Sequence, residues 1–130
     1  MEMVSSTLVE DKIKDGQALL RELDNAGVEV KAAFWFYMSE PDEWRLKIAM
    51  PLVDSQGPRA AYVRIQEVIF ETTENLALAL SEISVVSPKD QLVKLLKTVI
   101  RTGRGISGIR FSRNTINGAF IEDAYIYRIT

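Results

Sequence analysis

The chain has 130 residues, 47% of them hydrophobic and 26% charged, with a formal net charge of −2. That length suits one domain over residues 1–130 with a core that needs no staples, and the composition excludes a disordered chain. Cysteine and histidine are both absent, which excludes disulfides, thiol catalysis and thiolate metal sites. No apolar run approaches the roughly 20 residues of a membrane span. The first residues also lack a basic stretch leading into an apolar one, so a cytoplasmic location away from membranes is expected. Charge is unevenly spread: residues 1–87 carry eight basic and fifteen acidic side chains, residues 88–130 eight basic and three acidic. Such asymmetry marks either a basic binding surface or two halves that attract each other.

A first helix is expected from Leu8 to Asn25. Thr7 and Glu10 have capping-box spacing, Gly27 supplies a stop, and Val9, Ile13, Gly16, Leu20 and Leu23 form one stripe widened by Leu19. From Val28 to Leu52 the apolar residues alternate on both sides of Glu40-Pro41-Asp42-Glu43, the pattern of an antiparallel hairpin. One face is read as Val28, Val30, Ala32, Phe34, Phe36 and Met38 with Trp44, Leu46, Ile48 and Met50. Asp54-Ser55-Gln56-Gly57 reads as a turn, with Pro58 opening a second helix that runs to Thr72 and buries Ala61, Tyr62, Ile65, Val68 and Ile69.

Leu78 to Val86, rich in β-branched residues, reads as a third strand. Ser87-Pro88-Lys89-Asp90 reads as a helix start with a capping serine. Leu92, Leu95, Leu96 and Val99 then make the stripe of a third helix ending near Gly103. Two strands follow, Ser107 to Arg113 and Ala119 to Ile129, and Asn117-Gly118 is a hairpin turn signal. The expected order is αββαβαββ. Helices with single apolar stripes predict an α+β fold, a two-layer α/β sandwich of about five mainly antiparallel strands with helices on one face.

Gly103-Arg104-Gly105-Ile106-Ser107-Gly108 matches G-x-G-x-x-G, but it follows a helix and enters a strand. A dinucleotide site needs the reverse order, so the glycines read as helix termination and a turn. A residual reading is an anion-binding nest beside Arg101 and Arg104. Without His or Cys only oxygen ligands are left for a metal, and the acidic groups Glu40, Asp42, Glu43 and Glu122, Asp123 read as solvated. No metal or cofactor is expected. Serine chemistry lacks its usual base, and no Ser-x-x-Lys occurs; a carboxylate-based enzyme is the third reading.

The leading functional expectation is the hairpin's second face, where Trp35 and Tyr37 are taken to share a side with Arg45 and Lys47, and Arg110 and Arg128 to join from the last strands. Trp, Tyr and Arg are enriched at interface hot spots, so this face predicts a protein partner or a homodimer. The rival use of aromatics among cations is nucleic-acid or phosphate binding, drawing on Arg101, Arg104, Arg110 and Arg113. In the plainest reading, the rings are covered by the same chain.

Overall fold

The computed structural model describes residues 8–72, 76 and 78–130. Helix α1 spans Glu10–Asn25. Glu10 and Asp11 sit in its first turn, where carboxylates complement the helix dipole. Its cap is Val9, without a side-chain bond; Thr7 lies outside the described residues. The C-terminus behaves as expected: Gly27 has φ +77, Gly27 N–H donates to Asp24 O at 3.0 Å and Val28 N–H to Leu23 O at 2.9 Å. These paired bonds satisfy the last carbonyls of the helix.

Strands β1 (Ala32–Met38) and β2 (Glu43–Ala49) form the expected hairpin. The segment expected to extend β2 is instead a short helix, α2 (Pro51–Gln56), because Pro51 suits a first helical position and cannot serve a ladder. Gly57, at φ +91, turns the chain into α3 (Pro58–Glu71). The third strand is shorter than its composition predicts: Leu80–Glu82 is a 3-10 turn, and β3 covers Ile83–Val86.

Helix α4 spans Gln91–Lys97. Its cap is Asp90, whose Oδ2 accepts from Leu92 N–H at 3.0 Å and Val93 N–H at 3.3 Å. Ser87, the expected cap, accepts from Lys89 N–H in the preceding turn. Strands β4 (Ile109–Ile116) and β5 (Ala119–Ile129) close the chain through Asn117 (φ 49) and Gly118 (φ 84), two adjacent residues at positive φ, as the Asn-Gly pair predicts.

The class is α+β, with a five-stranded sheet in the order β3-β2-β1-β5-β4. All pairings are antiparallel except β2 with β3, whose connection crosses over through α2 and α3. Each sheet face has a core. On one side Ala33, Trp35, Leu46, Ile48, Ile83 and Tyr127 meet Leu19, Leu20 and Leu23 of α1 and Ile65 of α3. On the other, Ala32, Phe34, Ala49 and Ile126 meet Val93 and Leu96 of α4, with Ile116 and Ile121 from the final hairpin. Helices therefore flank the sheet, with α4 alone on its own side. The β3 edge is closed by Tyr62 of α3, whose hydroxyl accepts from Val85 N–H and donates to Ile83 O, both at 3.2 Å.

Candidate functional site on the third helix

The hairpin register decides the fate of the aromatic face. Met38 pairs with Glu43 across a four-residue loop, so Trp35 lies opposite Leu46, Tyr37 opposite Trp44, Phe36 opposite Arg45 and Phe34 opposite Lys47. Cross-strand partners share a face. The expected grouping of Trp35 and Tyr37 with Arg45 and Lys47 is therefore corrected: the aromatics point to one side of the sheet and the two cations to the other. A one-residue change in the assumed pairing exchanges the faces, because the side-chain period is two.

Trp35 is internal, at 1% exposure. Its Nε1–H donates to Tyr127 Oη at 3.0 Å, and Tyr127 Oη–H donates to the Ile13 carbonyl of α1 at 2.5 Å. Burial pushes the Tyr127 hydroxyl pKa well above its ordinary value, against the opposing effect of the Trp35 bond. Gly16 of α1 lies over this pair. A Cβ there would be 2.9 Å from Trp35 Nε1 and 3.0 Å from Tyr127 Cε2, so the glycine is what lets the helix settle on the rings. Tyr37 is buried too; its ring lies 5.3 Å from that of Trp44, and its hydroxyl donates to Asp42. These rings are covered within the chain.

Arg45, Arg110 and Arg128 have structural partners. Arg45 ties β2 to β3 through Ser84 Oγ at 2.7 Å and Ile83 O at 3.2 Å. Lys47 is half-buried on β2, between Phe34 and Ser84 in the ladders. Arg128, only 4% exposed, grips Asp24 through two bonds at 3.0 and 2.7 Å, and also donates to Val30 O and Gly105 O. Arg110 makes two 2.7 Å bonds to Asp123, which hold its pKa above the usual guanidinium value. Its guanidinium lies 5.7 Å from the Trp44 ring centroid, within cation–π range. Arg101, Arg104 and Arg113 are exposed. Of these, Arg104 lines a cleft of about 430 Å³ with Arg128 and Lys31.

The glycine-rich loop is committed to the sheet. Thr102 N–H donates to Ile129 O and Ser107 N–H to Tyr127 O, while Gly105 turns its carbonyl toward Arg128. Gly108 makes room for the Tyr125 ring, whose hydroxyl an added Cβ would strike. Among the described residues no group of three or more acidic side chains is gathered to hold a metal ion. No helix among them is long and apolar enough to cross a membrane.

Among the described residues, large apolar side chains are exposed at Val9, Val99, Ile109 and Phe120 and at two positions on one side of α3. Val63 is 46% exposed and Phe70 is 90% exposed. They are seven residues apart and therefore lie on one helical stripe. That stripe borders a groove of about 900 Å³ formed with α2 and the turn after α1, whose apolar lining includes Val28, Leu52, Ala60 and Val63. Arg59, Arg64 and Glu67 also line it. The buried stripe of α3 is Ala61, Ile65 and Val68, largely as the periodicity predicts. Val63 and Phe70 are the apolar residues left off it, a signal present in the sequence but not singled out by alternation or motif. No family model, curated protein or solved structure matches the chain.

Proposed function

We propose that the domain is a protein-binding module that works through the exposed face of α3 in a cytoplasmic setting. The observation that carries this reading is the pairing of a nearly free phenylalanine, Phe70, with Val63 and an adjoining apolar groove. Exposed apolar surface of this kind, with charged side chains beside it, marks interaction sites, and an aromatic anchor beside a recess is the usual hot-spot arrangement. A photoreactive residue at position 70 should form a reproducible protein adduct in cells that Val63→Asp abolishes. The same probe at the exposed Asn114 should not form it. Equal labelling at both positions would refute the reading.

A second reading is supported by the charge run between Asp90 and Glu122, which holds Lys94, Lys97, Arg101, Arg104, Arg110 and Arg113 and no acidic residue. An anion or nucleic-acid partner would use the exposed Arg101, Arg104 and Arg113. With mixed-sequence DNA or RNA, its affinity should fall steeply with salt and the slope should flatten in Arg101→Ala/Arg104→Ala. Salt-independent or undetectable binding would remove it.

A further inference from the structure

We propose that α3 recognises a second copy of this chain, packing antiparallel against its counterpart about a two-fold axis at the level of Ile65, with Phe70 of each copy seated in the other's groove. The inference rests on the protein-binding reading and names its partner.

Two observations point to self-pairing. The first is that knob and hole occur on the same helix. Phe70 stands at the C-terminal end of the stripe, 90% exposed, and the groove opens beside Ala60 and Val63 nearer the N-terminal end. An antiparallel copy brings the partner's Phe70 over Ala60, and the two-fold repeats the contact. The recess of about 900 Å³ has room for the ring.

The second is the polarity of charge. Arg59 and Arg64 occupy the N-terminal half of α3 and Glu67 and Glu71 the C-terminal half, with no acid in its first turn and no base in its last. That order opposes the helix dipole, which favours acids first and bases last. Glu67 is satisfied locally by Arg64 at 3.3 Å. Nothing within the helix explains Arg59 and Glu71 at its two ends. An antiparallel partner does: it sets Arg59 beside the partner's Glu71, twice, and opposes the two dipoles. A parallel copy would juxtapose like charges.

Light scattering across the micromolar range should give a mass rising from 14.7 kDa toward twice that value with concentration. Phe70→Asp should weaken self-association by at least about 30-fold. Because Phe70 is solvent-exposed, circular dichroism and the urea midpoint should stay near wild type. Arg59→Glu and Glu71→Arg should each weaken the dimer about tenfold, and the double variant should recover it. A wild-type chain that stays monomeric throughout overturns the proposal, as does a dimer indifferent to Phe70→Asp. If the chain is monomeric and position 70 still labels a different protein, self-pairing fails and the protein-binding reading stands. If nothing is labelled, both fail.

Discussion

Replacing Gly16 by alanine sets two opposed effects against each other. In a solvent-facing helical position the change stabilises by about 1 kcal/mol, since glycine has the greater backbone entropy to lose. At Gly16 the new methyl would lie 2.9 Å from Trp35 Nε1 and 3.0 Å from Tyr127 Cε2, and nearer still to the Tyr127 hydroxyl. Neither ring can retreat cheaply, because both are 1% exposed and joined by the chain of bonds from Trp35 through Tyr127 to the Ile13 carbonyl. Overpacking of this kind costs about 1–3 kcal/mol, and loosening the two bonds costs about 1 kcal/mol each. The net expectation is a loss of about 2–4 kcal/mol, read as a fall in the urea midpoint at unchanged slope. Tyr127→Phe should cost about 1–2 kcal/mol on its own by leaving the indole N–H unpaired. Since it also removes the atom closest to the new methyl, the two changes together should cost less than their sum by about 1 kcal/mol. A neutral or stabilised Gly16→Ala, or strict additivity, would refute this account of how α1 docks.

Trp35→Ala should destabilise the fold by about 3–5 kcal/mol, the cost of emptying an aromatic site in a core, and calorimetry would detect it. A well-folded variant would return Trp35 to consideration as a surface residue. The raised Tyr127 pKa carries a sign: the folded state keeps the proton that the unfolded chain releases near pH 10. Stability should therefore be insensitive to this group below about pH 10 and fall above it by up to about 1.4 kcal/mol per pH unit. Urea midpoints against pH should show the steeper fall in wild type than in Tyr127→Phe. Tyr62→Phe removes the hydroxyl that covers Val85 N–H and Ile83 O at the β3 edge. It should cost about 1 kcal/mol and promote edge-to-edge association visible by light scattering.

Local signals were legible. Gly27 ends α1 because only a residue at ease with positive φ lets the paired bonds to Leu23 and Asp24 close. Asn117-Gly118 turns the last hairpin for a similar reason. Proline marks the start of α3 at Pro58, whereas at Pro51 the strand alternation running on to Leu52 hides the start of α2. The cap of α4 moved from Ser87 to Asp90 because both residues can cap, and the choice depends on where the turn before the helix closes.

By itself, the sequence determined the α+β class, the two hairpins and the inward stripe of α3, because periodicity, turns and caps act between residues close along the chain. Tertiary structure alone decided which aromatics are surface. A four-residue loop set the hairpin parity and put Arg45 and Lys47 across the sheet from Trp35. Packing of α1 through Gly16 then covered Trp35, while Phe70, the same kind of residue by composition, was left 90% exposed. Burial is a property of what lies opposite a side chain in space, and that neighbour is named by no residue nearby in sequence.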